Sequence, residues 1–156
     1  MVVLSGILSA EAVRPSLVAG GKKRLFQSLA EIAHLAYGVD ESVTAEALQE
    51  RESLGPTGVG RGVALPHARV PGLTRMAGAF ARLEKPIPFG APDRQPVDLV
   101  FALFAPAESG VGHLKALASV SRIMRDRTLC AKLRANADPQ VLHALLTETT
   151  DRAIAA

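Results

Sequence analysis

Apolar and polar positions follow two different periods along this chain. Between Lys22 and Gly38, apolar side chains recur at helical spacing, and this pattern predicts an amphipathic helix that ends at Tyr37. The run from Val97 to Ala105 is instead almost wholly apolar and rich in β-branched and aromatic residues, which is typical of a central strand covered on both faces. The chain therefore combines amphipathic helices with a buried sheet.

The remaining elements follow from the same periods and from turn residues. Asp40 or Ser42 can cap a second helix, which ends at the pair Arg51-Glu52. Further helices are predicted to open after Gly110 and to lie near 127–136 and 139–150. Strands are predicted at 62–66, 76–83 and 86–89, and a short helical turn at 9–13 is followed by an extended piece at 16–19.

Two of the predicted helices have apolar positions that define an inward face. The second helix is expected to turn three side chains toward the core: Val43, Ala47 and Leu48. The helix after Gly110 is expected to bury Leu114, Leu117, Ser121 and Met124. These faces predict which parts of the two helices contact the sheet.

Together the elements indicate a single α/β domain over residues 1–156, with helices packed on a central sheet. A chain of this length buries roughly 70% of its unfolded surface, enough for one core and too little for two. A doubly wound parallel sheet is disfavoured, because 76–83 and 86–89 are too close in sequence for a crossover helix between them.

Composition and charge exclude several classes of function. The 18 Lys and Arg residues and 15 Asp and Glu residues are scattered, and the net charge is +3, so no basic stripe indicates a nucleic-acid partner. The longest apolar runs are far below 18 residues, so neither a signal peptide nor direct membrane insertion is predicted. The single cysteine, Cys130, excludes an internal disulfide. A cytoplasmic location is therefore expected.

The four histidines and the one cysteine have no metal-ligand spacing, and no cofactor is predicted. No serine hydrolase triad is visible around Ser53 or Ser109. His34 lies off the apolar stripe of its helix, and His143 and Cys130 are interpreted as structural. His67 and His113 remain as the candidates for chemistry.

The stretch RESLGPTGVGRGVALPHAR, residues 51–69, contains four glycines before an apolar run that ends at His67. One interpretation is a bulged hairpin entry. The other is a backbone that must approach an anion closely. A Walker loop is disfavoured, because the Gly-Lys-Ser or Gly-Lys-Thr ending is missing. In either case His67 is predicted to lie at the carboxyl end of the 62–66 strand, where open α/β sheets bind ligands.

Three segments carry a resemblance to a known family: Arg51-Glu52 with LGPTGVG (54–60), VALPHAR (63–69), and GVGHLKALA (110–118). From about Lys22 to Leu146 the chain resembles the IIA domain of the phosphoenolpyruvate phosphotransferase system, fructose/mannitol class. The resemblance implies a mixed central sheet of about five strands flanked by helices. Pro56 departs from the pattern, because the family more usually has a serine there, and this leaves the loop role of Thr57 open.

The resemblance also implies roles for individual residues. His67 is expected to be neutral and to accept a phosphoryl group through Nε2 from a phosphohistidine carrier of the HPr or NPr type. His113 would support it, and Arg51 would neutralise the phosphate with a forked, permanently charged donor. Backbone N–H groups of the glycine-rich loop would add to the phosphate site. The residues assigned to that loop site are Thr57, Gly58 and Gly60.

Within the family, residues 83–89 and 93–103 are similar to the nitrogen-regulatory branch more than to sugar-transport IIA domains. No IIB or membrane IIC segment is recognised within residues 1–156, and a free-standing domain is expected. The chain is therefore interpreted as a regulatory phosphocarrier whose phosphorylation state controls the binding of target proteins. The alternative is a sugar-transport IIA that passes the phosphoryl group to a separate IIB component.

Overall fold

The computed structural model describes the backbone of residues 4–155 and the side chains of residues 4–148. After a 3-10 turn at Leu4–Gly6, the elements follow in this order: β1 (Leu8–Leu17), α1 (Lys22–Tyr37), α2 (Glu41–Leu54), β2 (Gly58–Gly60), β3 (Val63–Ala64), β4 (His67–Val70), β5 (Ala77–Ile87), β6 (Val97–Pro106), α3 (Val111–Ile123), α4 (Arg127–Ala135) and α5 (Pro139–Ala155).

The strands form one mixed sheet in the order β1-β5-β6-β3-β2, and β4 also pairs with β6. β5 runs antiparallel to β6, whereas β3 and β4 run parallel to it. β6 is the centre of the sheet and is buried from Leu99 to Ala105, as its apolar sequence predicts. The predicted α/β fold with a mixed sheet is confirmed, with six strands instead of about five.

Helix α1 ends at its predicted glycine stop, and α2 begins after the predicted cap Asp40 but extends to Leu54, beyond the predicted end at Arg51-Glu52. α1 buries Leu25, Phe26 and Leu29, and it stops at Gly38, whose N–H donates to the His34 carbonyl from a left-handed conformation. The Asp40 side chain accepts a hydrogen bond of 2.9 Å from an N–H of the first turn of α2. These caps fix the position of α2, whose last turn approaches the sheet at β4.

The prediction for the N-terminal segment was wrong. Residues 9–13 belong to strand β1 and do not form a helical turn. β1 pairs with β5 through a shifted register, because Leu8 lies opposite Gly78 while Val13 lies opposite Phe80. Such a bulge interrupts the alternation of buried and exposed side chains, so neither a strand period nor a helix period is visible in the sequence.

Two strand predictions also need correction. Residues 62–66 do not form one strand that ends before His67, because β3 stops at Ala64 and His67 opens β4 beyond Pro66. The Pro66 carbonyl still accepts a hydrogen bond from the Leu103 N–H of β6. The predicted pieces 76–83 and 86–89 are largely one strand, β5, whose register shifts before Ile87.

The inward faces of two helices differ from the prediction. In α2, Val43 is 42% exposed and Thr44 is buried in its place. In α3, Leu114 is 64% exposed, and the core face is formed by His113, Ala116 and Val120. The inward face of α3 is thus displaced by about one residue, which buries the His113 ring.

Candidate functional site

His67 lies at the start of β4, and both of its ring nitrogens have partners. Nδ1 lies 2.9 Å from the carbonyl oxygen of Leu65, and a carbonyl can only accept, so Nδ1 carries the proton. Nε2 lies 3.2 Å from Nε of Arg51, which can only donate. Nε2 therefore presents a lone pair, and the contacts select the neutral Nδ1–H tautomer of His67.

Arg51 is held in the last turn of α2 by a second contact. Its Nη1 donates to the carbonyl of Gly55 at 2.9 Å, while Nε faces His67. The guanidinium is thus fixed between the end of its own helix and the imidazole. A planar fork held in this way keeps further N–H donors for an anion that reaches His67.

The surroundings of His67 keep its imidazole neutral. Burial lowers the pKa of His67, and the charge of Arg51 lowers it further. The hydrogen bond to Leu65 and the charge of Glu52 raise the pKa and oppose this in part. Because the net direction is downward, the unprotonated Nε2 is available at neutral pH.

Glu52 forms a buried polar cluster beneath the site, which the sequence did not single out. Its carboxylate accepts from the Thr57 N–H at 3.0 Å and from the Thr57 hydroxyl at 2.5 Å. The same carboxylate forms an ion pair of 2.7 Å with Lys22 Nζ, and the Glu52 side chain is only 6% exposed. Lys22 Nζ also lies 4.7 Å from the ring centroid of Phe89. The cluster therefore fixes the loop entrance next to Arg51.

His113 lies in the first turn of α3 and faces His67. The two ring centroids are 5.5 Å apart at an interplanar angle of 69°. His113 is 7% exposed, and its buried Nδ1 has no hydrogen-bond partner in the described part of the chain. Burial lowers the pKa of His113, with smaller contributions from His67 and Arg69. A neutral ring with an unpaired nitrogen thus stands beside the reactive one.

The structure gives reasons other than phosphate binding for the residue types at the three loop positions that were predicted to hold phosphate. The N–H and hydroxyl of Thr57 are already bound to Glu52. A Cβ at Gly58 would lie 3.1 Å from the Cβ of Ala91, so close packing favours glycine there. Gly60 has a φ of 98° in the turn after β2. A role of these three residues in phosphate binding stays a prediction.

A pocket of about 210 Å³ opens beside His67. Its walls are formed by Arg51, Pro56, Thr57, Val59, Leu65, Leu117 and Ser121. Leu117 and Ser121 are two of the α3 residues that the sequence assigned to the core. The apolar stripe of α3 faces the site in this region, which explains the displaced inward face.

The other histidines and the cysteine have structural contacts. His34 Nδ1 donates to the Val39 carbonyl at the α1–α2 turn, and His143 Nε2 donates to the Leu8 carbonyl. Cys130 is buried, and its Sγ donates to the Met124 carbonyl. Among the described side chains, no three His, Cys, Asp or Glu residues converge to hold a metal ion. Within residues 4–155, no helix has the length and apolar character needed to cross a membrane.

Comparison with known proteins gives the same picture over almost the whole chain. The family model "Phosphoenolpyruvate-dependent sugar phosphotransferase system, EIIA 2" matches residues 6–149. A nitrogen regulatory protein of Bradyrhizobium diazoefficiens is 45% identical over 143 residues, 92% of this chain and 94% of that protein. The nitrogen regulatory protein of Escherichia coli K12 is 39% identical over 147 residues, 94% of this chain and 90% of that protein.

The fold comparison agrees with the sequence comparison. The crystal structure of the nitrogen regulatory protein IIA-Ntr from Neisseria meningitidis superposes with a TM-score of 0.85 at 33% identity, covering 92% of this chain and 99% of that one. The mannitol IIA of Escherichia coli superposes with a TM-score of 0.74 at 20% identity, covering 88% of this chain and 97% of that one, and this shows the shared fold. The chain belongs to the EIIA 2 family of the phosphotransferase system, and its relatives include nitrogen regulatory proteins.

Proposed function

We propose that this chain is a regulatory phosphocarrier that accepts a phosphoryl group on Nε2 of His67 from a phosphohistidine carrier of the HPr or NPr type. The observation that carries the proposal is the tautomer of His67. Leu65 holds the proton on Nδ1 and Arg51 contacts the lone pair on Nε2, so one defined nitrogen is prepared for attack.

In the proposed transfer, Nε2 forms a bond to phosphorus as the bond between phosphorus and the donor imidazole breaks. The donor nitrogen keeps the electron pair of the broken bond. Such phosphoryl transfers require positioning and charge neutralisation and little other chemistry from the protein. The Arg51 guanidinium already lies 3.2 Å from Nε2, within reach of the oxygens of the incoming phosphoryl group, which carries a charge of about −2.

His113 is proposed to assist as a neutral donor. Its Nδ1 is buried and unpartnered, and its ring lies 5.5 Å from the ring of His67. If that nitrogen carries the proton, a phosphoryl oxygen on Nε2 would give it the missing acceptor. The pKa of His113 is lowered mainly by burial, which favours the neutral form. His113 thus acts after the phosphoryl group arrives, whereas His67 is the nucleophile.

The apolar pocket walls beside His67 fit the docking of a protein donor. Val59 is 46% exposed and Leu114 is 64% exposed, and Leu117 lines the pocket one turn beyond Leu114. Apolar side chains around a charged centre exclude water when a partner covers them. A cytoplasmic location, where a carrier protein can reach this surface, completes the proposal.

The direct test is phosphorylation with phosphoenolpyruvate, enzyme I and HPr. One acid-labile phosphate per chain is expected, with the phosphorus on Nε2 as judged by ¹⁵N–³¹P coupling in NMR. His67→Ala should remove the label, and His143→Ala serves as the matched histidine control because His143 is not at the pocket. Label that persists in His67→Ala, or a phosphate on Nδ1, would contradict the proposal.

A second measurement tests His113. His113→Ala should keep the phosphorylation site and slow transfer from phospho-HPr by about 10²-fold, as expected when one preorganised donor is lost. Rapid-quench time courses of wild type and variant provide the rates, and urea unfolding shows whether the variant is folded. Unchanged transfer in a folded variant would make His113 a bystander.

The regulatory role is distinguished from sugar transport by the acceptor. A regulator should retain a target protein from host extract in a manner that changes between wild type, His67→Ala and His67→Asp. A sugar-transport IIA should instead pass its phosphoryl group to a separate IIB protein. The nitrogen regulatory names of the relatives favour the first, and identical retention by all three proteins would count against it.

A further inference from the structure

A second pocket, here called the arginine pocket, lies away from His67 at the junction of α3 and α4. Its volume is about 340 Å³. Arg61, Arg125 and Arg127 line it, together with Met124, Cys130 and Ala131. Met124 and Cys130 are buried, so the pocket has an apolar floor below a rim of guanidinium groups. Among the described residues, none lines both this pocket and the pocket beside His67.

Arg61 is the unusual member of this rim. Its φ is 57°, in the left-handed region that disfavours every residue with a Cβ. Two contacts hold the backbone there: the Arg61 N–H donates to Asp93 at 2.7 Å, and the Arg61 carbonyl accepts from Arg134 at 2.8 Å. The Arg61 guanidinium itself bonds to no residue within the described side chains. The strained backbone at Arg61 thus presents a guanidinium that forms no hydrogen bond or ion pair with the described side chains.

The carboxylates near the arginine pocket already have hydrogen-bond or ion-pair partners other than the three guanidinium groups of its rim. Asp98 holds Arg134 at 2.9 Å, Asp126 caps α4 by accepting from the Leu129 N–H, and Asp93 accepts from the Arg61 N–H. No ion pair to Arg61, Arg125 or Arg127 is formed in the part of the chain with described side chains. Three like charges therefore line one concave surface without a partner, although such charges repel one another.

We propose that the arginine pocket binds a phosphorylated small molecule. Guanidinium groups match phosphate oxygens with paired N–H donors, and the apolar floor of Met124 and Cys130 accommodates a base or another flat apolar part. The volume of about 340 Å³ is within the range of small-molecule sites. An acidic protein segment is disfavoured, because it would leave the recessed apolar floor uncovered.

ADP and pyrophosphate are the probes, and adenosine is the control without phosphate. Binding to the full chain is followed by ¹⁵N NMR in 150 mM salt, with Arg61→Gly as the test variant. Arg94→Gly is the matched control, because Arg94 is also an arginine with positive φ, at 60°, and does not line the pocket. Glycine relieves the same backbone strain in both variants, so both should unfold at or above the wild-type Tm.

ADP should shift the amides of residues 124–134, pyrophosphate should do so more weakly, and adenosine should not. Arg61→Gly should weaken ADP binding by at least about tenfold through the loss of charged hydrogen bonds, and Arg94→Gly should leave it unchanged. Equal weakening by both variants, unchanged binding in Arg61→Gly, or no shift at these amides would overturn the proposal. Tighter binding of a polyglutamate peptide to the same residues would assign the pocket to an acidic protein instead.

Discussion

The two ends of the glycine-rich loop are each held by an acid–base pair, but in different surroundings. At the first end, Glu52 binds Lys22 and both polar groups of Thr57. At the second end, Asp98 binds Arg134, which in turn bonds to the Arg61 carbonyl. The Glu52 side chain is 6% exposed and that of Asp98 is 26% exposed. The cations differ little, because Lys22 is 30% exposed and Arg134 is 36% exposed. The carboxylate next to His67 is therefore the more buried of the two, whereas water reaches both cations.

This difference determines how much each pair contributes to stability. A buried charge that loses its partner remains desolvated, so breaking a buried pair costs about 3 kcal/mol or more. A pair that water can reach contributes about 1 kcal/mol or less. Breaking the contacts of Glu52, next to the site of the proposed phosphoryl transfer, should therefore cost more stability. Breaking the Asp98–Arg134 pair beside the arginine pocket should cost less.

The largest effect is expected for Glu52→Ala. This change leaves Lys22 without its partner and leaves two polar groups of Thr57 unsatisfied, so the free energy of unfolding should fall by about 3 kcal/mol. Urea unfolding measures it. Glu50→Ala is the matched control, because Glu50 is exposed on the same helix and should change stability by less than about 0.5 kcal/mol. Equal losses in both variants would remove the distinction between the two loop ends.

A smaller effect is expected for Asp98→Asn. Asparagine keeps the shape of the side chain and one acceptor oxygen for Arg134. Because water screens partly exposed ion pairs, the free energy of unfolding should fall by about 1 kcal/mol or less. The rate of phosphoryl transfer should stay that of wild type, because Asp98 does not contact His67. A loss as large as that of Glu52→Ala would show that the second end is as tightly coupled to the fold as the first.

The smallest effect is expected for the change of folding stability with pH at each end of the glycine-rich loop. The fold lowers the pKa of both His67 and His113 below the ordinary value of 6.5, mainly by burial. Between the folded pKa values and 6.5 the unfolded chain binds more protons, so stability should fall as the pH drops below 6.5. The backbone N–H groups of Arg61 and Gln95 donate to Asp93 and lower the pKa of its carboxyl group. The contribution of Asp93 to stability at the second end is therefore lost only below its ordinary pKa of 3.8.

Urea unfolding between pH 4.5 and 8 distinguishes the two ends. The double variant His67→Gln/His113→Gln should flatten the decline below pH 6.5, and Asp93→Asn should leave it in place. Arg51→Met should raise the pKa of His67 in an NMR titration, because the charge of Arg51 contributes to lowering it. A decline that persists unchanged in the double variant would assign the pH response to other groups.

Local signals explain the parts of the fold that were predicted correctly. α1 has both a regular apolar period and a glycine stop, and its predicted limits are those observed. β6 has an almost wholly apolar run because it is covered on both faces. β1 was predicted wrongly because its bulge breaks the period. A sequence pattern is therefore informative where no bulge interrupts the element itself.

The site was harder to predict than the fold, because an apolar side chain has the same pattern in a core and in a binding surface. Leu114 and Leu117 were assigned to the core, but Leu114 is exposed, and Leu117 packs partly against the core and also lines the pocket beside His67. Glu52 was named in the family motif, but its contacts were not predicted, because its partner Lys22 is 30 residues away. His67, Arg51 and His113 were found through the family resemblance, and the structure brings the three together.

The edge strand β1 is held mainly by contacts with distant parts of the chain, strand β5 and helix α5. Leu8 pairs with Gly78, and its carbonyl accepts from His143, 135 positions away. Contacts of such sequence separation form slowly, because a long loop must close before they contribute. We expect β1 and the start of α5 to dock last during refolding, which leaves β5 as a temporary open edge. Aggregation during folding is then expected to begin at β5, far in sequence from His67.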